Sequence, residues 1–235
     1  MKSFIIEDGF WDLFPHGKIG VLLCHGVNNK IENTEMFRDL LLEAEAEALN
    51  HLTLESFTSN PVISVWREAF KLFKTKKGAR ASIEALLKRV SNDNHINTIN
   101  PLVDIYNSIS LKYALPCGGE DLDIIAGTLR LTKAVGNEQF IALGSDQNDP
   151  PYEGEIVYKD DEGAICRCLN WREASRTMLT ENTTNAFLCV ELIDDGRQET
   201  FENALRDLLE TVSKHLGGTN RIEILSIEKP QIVIE

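Results

Sequence analysis

From residue 33 to residue 109 the apolar side chains return every three or four positions, whereas beyond Pro116 they gather in short runs between turn residues. A chain with helical periodicity in one half and strand-length runs in the other must bury helices against sheet. The fold class expected is therefore α+β (mixed α/β). Phe37, Leu40, Leu41, Ala44 and Ala48 predict one helix after the capping candidate Asn33. Asn60-Pro61 opens a second, with Val62, Val65, Trp66, Ala69, Phe70 and Phe73 as its apolar stripe. Ile83, Leu86, Leu87 and Val90 mark a third, and Asn100-Pro101 starts a fourth through Leu102, Ile105, Tyr106 and Ile109.

Strands are predicted at Phe4–Ile6 and Ile19–Val27, and later near Gly127–Ala134, Phe140–Leu143, Glu155–Tyr158, Ala164–Leu169 and Ala186–Ile193. Asn148-Asp149-Pro150-Pro151 reads as a loop. A last helix covers about Glu199–Leu216 with Gly217 as its stop, and Arg221–Ile234 supplies one or two final strands broken by Pro230.

Charge narrows the partners. Asp plus Glu number 37 against 24 Lys plus Arg, a net of −13, so a general duplex-DNA binder is not expected. The exception is Ser64–Val90, where eight cations (Arg67, Lys71, Lys74, Lys76, Lys77, Arg80, Lys88, Arg89) meet two acids (Glu68, Glu84). A solvated helix face is the bland account of such a run. The alternative is that Lys74, Lys77 and Arg80, at a helix-to-helix turn, contact RNA phosphates. No apolar run is long enough to span a bilayer, and acid follows the amino end too soon for a signal-peptide core. A cytoplasmic protein with no membrane partner is expected.

Cysteine usage supports the same compartment, since five cysteines form no dense framework. Cys166-Arg167-Cys168 in a strand would put two thiols on one face, the start of a zinc site with Cys24 and His25. Paired Cys-x-x-Cys motifs are absent, so buried free thiols, no metal and no cofactor are expected.

Three stretches carry candidate chemistry. Asp104 and Asn107 are neighbours on one helix face. Pro116-Cys117-Gly118-Gly119-Glu120-Asp121 offers paired glycines and bare amides to a ligand, or else a sharp turn needing glycine for its dihedrals alone. Asn170-Trp171-Arg172-Glu173 reads as a pocket wall with a charged rim, or as a solvent-facing turn with an ion pair.

In this order the stretches resemble a known family. Ser82–Gly217 is similar to the B3/B4 domain of the phenylalanyl-tRNA synthetase β subunit, which binds the amino-acid end of tRNA and hydrolyses wrongly attached tyrosine. The residues that carry the likeness are Ile99-Asn100-Pro101-Leu102-Val103-Asp104-Ile105-Tyr106-Asn107, Leu115-Pro116, the acidic turn Asp160-Asp161, the segment ending in Glu173, and Phe187-Leu188-Cys189-Val190-Glu191. The resemblance implies a layered β/β/α domain over 82–217. Residues 1–81 would be an amino-terminal extension within the same globule, and 218–235 carboxy-terminal strands.

It also implies roles. Asp104 and Asn107 match positions that shape the family's pocket, and Glu173 matches the glutamate that helps select a tyrosine hydroxyl. Gly118 stands where the synthetases carry His, and Asp194-Asp195-Gly196-Arg197 is shorter than the synthetase loop before the last helix. Nothing resembles an aminoacylation core. The expected function is hydrolysis of misacylated tRNA in trans, with the aminoacylated 3′ end of tRNA as partner. The alternative is a noncatalytic tRNA- or amino-acid-binding module, with an unrelated small-molecule hydrolase a more distant reading.

An ester is already activated, so a positioned water and backbone donors would suffice. Gly118 and Gly119 amides would hold the carbonyl oxygen, and Glu173 or Asp121 would order the water or the amino group. Cys117, Asn170, Trp171 and Arg172 complete the expected substrate contacts. Cys117 as nucleophile would need a base that no adjacent residue supplies. On this reading Gly119→Val blocks the approach of the carbonyl.

Overall fold

In the computed structural model, which describes residues 2–235, the order is β1 (Ser3–Ile6), α1 (Asp8–Trp11), β2 (Lys18–His25), α2 (Thr34–Ala48), α3 (Pro61–Ala69), α4 (Ser82–Val90) and α5 (Pro101–Tyr113). There follow β3 (Cys117–Asp121), β4 (Leu129–Lys133), β5 (Ile156–Lys159), β6 (Ala164–Arg167), β7 (Arg172–Glu173), β8 (Asn185–Leu192), α6 (Gln198–Leu216), β9 (Thr219–Leu225) and β10 (Gln231–Val233). The helix ends expected at Asn33, Asn100 and Gly217 form as the residue types predict. Asn33 accepts from Met36 N–H, Asn100 accepts from Val103 N–H, and Gly217 ends α6 with φ +68°.

Two sheets result. One has the order β10-β1-β4-β5-β6-β7 and the other β3-β8-β2-β9. All neighbours are antiparallel except β1 and β4. Strand alternation decides the layering. On β2, Ile19, Val21 and Leu23 join the core between the sheets, while Leu22 and Cys24 face the helices. Phe187 and Cys189 of β8 point inward in the same way, and Ala186, Leu188, Val190 and Leu192 pack against α5 and α6 residues such as Ile105, Ile109, Leu205 and Leu208. The architecture is thus sheet, sheet, helices, a β/β/α stack. The amino-terminal β2 lies inside the four-stranded sheet, paired with β8 along all eight of its residues. At Gly20 a Cβ would meet Leu205 Cδ1 at 2.4 Å, so glycine is needed there for the close approach of α6.

Several expectations are corrected. Cys117–Asp121 is an edge strand and not a turn; neither Gly118 nor Gly119 has a positive φ. Phe140–Leu143 is not a strand: its pairing is limited to the single bridges Ile141–Asn148 and Ala142–Ala174. Asn148 Oδ1 takes the Phe140 N–H at 2.8 Å, a side-chain partner in place of a ladder. Helix α3 stops at Ala69, short of Phe70 and Phe73. Asn60 does not cap it with its side chain. Its amide instead ties the preceding turn, accepting from Leu54 N–H at 2.9 Å and donating to Phe57 O at 3.0 Å.

Cys166 and Cys168 do not share a strand face either. The strand ends at Arg167, and Cys168 and Leu169 take left-handed φ values of 48° and 64°. All five thiols are free and buried. No helix among the described residues is long and apolar enough to cross a membrane.

Candidate functional site

The edge strands β3 and β7 lie at one end of the inter-sheet space, beside a cavity of about 700 Å³. Pairing rows set its walls. Tyr158 lies opposite Cys166, and Cys166 opposite Glu173, so one face of β5, β6 and β7 contributes all three. From the other sheet come Phe187, Cys189 and Glu191 of β8, with Gly118 paired to Cys189 and Glu120 to Phe187. Ser82, Ala85, Leu86 and Arg89 of α4 and Tyr106 and Asn107 of α5 close the remaining sides.

Of the residues named from sequence, Asn107, Cys117, Gly118, Gly119, Asn170, Trp171, Arg172 and Glu173 border this one cavity. Asp104 and Asp121 do not. Asp104 is buried, its carboxyl raised to about 6 by desolvation, and it accepts the Ile99 N–H at 2.8 Å. With Glu45, which accepts the Ile96 N–H at 2.6 Å, it fastens the segment that forms one lip of the cavity. Asp121 accepts from Thr183 Oγ1 at 2.6 Å and holds a loop outside the cavity. Cys117 packs in the helix-side cluster, and burial pushes its thiol far above the ordinary range. Burial does the same for Cys166 and Cys189, which removes the thiolate a Cys nucleophile needs.

The two glycines differ. Glu191 N–H bonds Pro116 O within the β3–β8 ladder, and Asp121 N–H bonds Thr177 O on the opposite side. By alternation the Gly118 N–H points into the ladder and the Gly119 N–H points out. The Gly119 N–H faces the Glu173 carboxyl, whose ionised form it favours against the desolvation that raises Glu173 to about 7. The expected pair of amides on one carbonyl is therefore not available. Side-chain positions also differ. A Cβ at Gly118 would lie 3.4 Å from Glu173 Oε1, inside the cavity, whereas one at Gly119 would strike Leu188 Cδ2 at 2.5 Å and Leu179 Cδ1 at 2.9 Å in the helix layer.

Two carboxyls escape a reading of residue types. Glu191 follows the apolar run Ala186–Val190 of β8, accepts from Tyr158 OH at 2.7 Å and from the Asn170 amide, and is raised to about 7 by burial. Glu120 is raised well above the carboxylate range by burial and then by the charge of Glu173. The available signal was register: Glu191 is two positions beyond Cys189, and Glu120 two beyond Gly118.

The basic segment runs straight into α4. Lys77 and Arg80 are exposed, and Lys74 lies over the Tyr152 ring at 5.8 Å. Lys76 is instead paired with Asp149, which also bonds the fully buried Arg167 at 3.0 Å. Arg67 is occupied by a bidentate pair with buried Glu84, at 2.6 and 3.1 Å. Three of the eight cations, Arg67, Lys71 and Lys76, are thus held in ion pairs with Glu84, Glu68 and Asp149.

The family described as the B3/4 domain matches residues 65–214. The phenylalanine–tRNA ligase β subunit of Mycoplasmoides gallisepticum is 33% identical over 129 residues, 55% of this chain and 16% of that protein. Its counterpart from Mycoplasma genitalium is 32% identical over 117 residues, 48% of this chain and 14% of that one. The chain therefore spans about one-sixth of the length of these curated relatives. An N-terminal fragment of the phenylalanyl-tRNA synthetase β subunit from Pyrococcus horikoshii superposes with a TM-score of 0.50 at 12% identity, covering 94% of this chain and 50% of the fragment. That likeness is one of fold.

Proposed function

The chain belongs to the B3/4 domain family, and from that premise we propose that it binds aminoacylated tRNA, takes the amino acid into the inter-sheet cavity and hydrolyses the ester. The observation that supports this most is the position of the cavity. It is walled by aromatic rings and buried carboxyls, and the exposed cations Lys77 and Arg80 lie within five residues of Ser82 on its wall. An RNA held by the basic segment has its charged end delivered to that opening.

Glu173 is the residue suited to the water. With its carboxyl raised to about 7 by burial, it is both ionised in part and basic enough to take a proton near neutrality. A positioned general base of this kind contributes about 100- to 10,000-fold. The Gly119 N–H, outside the ladder, is the donor for the developing oxyanion. A substrate carbonyl that takes this N–H frees the Glu173 carboxylate toward the water. Phe187, Tyr106 and Trp171 supply the apolar surface for an amino-acid side chain.

The test is a panel of tRNAs carrying correct and incorrect amino acids, with ester loss followed against the spontaneous rate. At least one is expected to be cleared by the wild-type chain, and Glu173→Gln to slow that clearance about 100-fold. Retained tRNA affinity with every ester stable would instead establish a noncatalytic binding module.

A further inference from the structure

Glu120 is 6% exposed and borders the cavity; its Oε2 is buried with no hydrogen-bond partner among the described residues, although the Thr177 hydroxyl, itself buried without a partner, lies on the side that favours the ionised carboxyl. A buried carboxyl oxygen left in this state is costly unless something else satisfies it. Glu173 borders the same cavity from the other sheet, and its charge adds to the burial that opposes ionisation of Glu120. Gly118 lies on the same face of β3, and its missing side chain leaves open the space beside Glu173 Oε1.

We propose that Glu120 and Glu173 form a subsite for a primary ammonium group of the ligand, an inference that rests on the reading of the cavity as an amino-acid site. An ammonium has three donors, no acceptor and a compact charge. Both carboxyls offer it acceptors, and the positive charge of the ammonium favours their ionised forms against the burial that opposes them. Tyr106 lines the same cavity, and burial, then the charges of Glu173 and Glu120, oppose its ionisation. No Lys or Arg among the described residues lies within ion-pair distance of Glu120, Glu173 or Glu191; Arg176, whose charge favours ionised Glu120, is itself paired with Asp160 at 2.6 Å and Glu162 at 3.2 Å. The cations on the lining are engaged elsewhere: Arg89 donates to His95 O at 3.0 Å, and the Arg172 guanidinium lies 5.0 Å over the Trp171 ring.

The ammonium is either the α-amino group of the aminoacyl moiety or one on its side chain, and the ligands of the test separate the two. The full chain is titrated calorimetrically with L-phenylalaninamide, N-acetyl-L-phenylalaninamide and Nα-acetyl-L-lysinamide. The first carries only an α-ammonium, the second none and the third only a side-chain ammonium. One or both amine ligands should bind roughly tenfold or more tightly than the N-acetyl compound, the scale of a hydrogen bond to a charged group. Glu120→Gln, close in shape and uncharged, should abolish that preference. Glu173→Gln gives the same readout if Glu120→Gln does not fold.

Equal binding of the acetylated ligand would overturn the subsite, as would no amine binding at millimolar concentration or a preference that survives both substitutions. None of these ligands is an ester. A chain that discriminates ammonium yet clears no aminoacyl-tRNA would therefore fail only the hydrolytic reading.

Discussion

The backbone N–H of Ser82 donates to Asn170 Oδ1 at 3.1 Å, joining the first turn of α4 to the cavity wall across 88 residues of sequence. The other end of the Asn170 amide donates to Glu191, which also accepts from Tyr158. One side chain thus ties the helix that follows the basic segment to the floor of the site.

Asn170→Ala should break both links and leave a Glu191 oxygen without its donor. A hydrogen bond to a charged group is worth about 1.5–3 kcal/mol, and the expected loss of stability is about 2 kcal/mol. Urea unfolding measures it. A change under about 0.5 kcal/mol would show that the link holds nothing in place.

Gly118 and Gly119 should fail in opposite ways. Gly119→Val forces a side chain onto Leu188 and Leu179 and should destabilise by about 1–3 kcal/mol through overpacking. Gly118→Ala places a methyl group in the cavity, 3.4 Å from Glu173 Oε1, and should leave the melting temperature nearly unchanged while weakening amino-acid binding. Thermal melts and ligand titration of both variants separate the two effects.

The cations of the basic segment should divide into two groups. Lys77→Ala and Arg80→Ala are expected to weaken tRNA binding across sequences and to flatten its salt dependence by roughly one contact each. Lys76→Ala removes a partner of Asp149 beside buried Arg167, so its effect should appear in stability and not in the salt slope. An equal salt-slope change for all three would refute the division.

Stability should fall as pH rises. Glu191 in the folded chain is raised from 4.5 to about 7 by burial, so between those values the native state holds a proton that the unfolded chain has released. The contribution is complete below the unfolded value and is lost as pH climbs through the folded one, up to about 3 kcal/mol. Glu173 acts in the same direction. Urea unfolding at about pH 5 and about pH 7.5 should show the wild type losing stability and Glu191→Gln losing less.

What the sequence determined by itself was local. Asn33 and Asn100 cap their helices and Gly217 ends α6, because each supplies a side-chain acceptor or a dihedral within a few residues of the groups that need it. The presence of a cationic segment was legible in the same way. The site depended on partners far away in the chain. Gly118-Gly119 carries the same local signal for a turn as for an edge strand, and pairing with β8 decided between them. Asp104 and Asp121 have the composition of site residues, yet each bonds a neighbouring loop, whereas Glu120 and Glu191 reach the cavity through strand register. Lys76 and Lys77 are adjacent and alike in type, but only Lys76 meets Asp149. A carboxyl or an ammonium reads the same in sequence whether it faces water, a partner or a cavity. Its surroundings arise when distant strands pair, and desolvation and charge act only from that point.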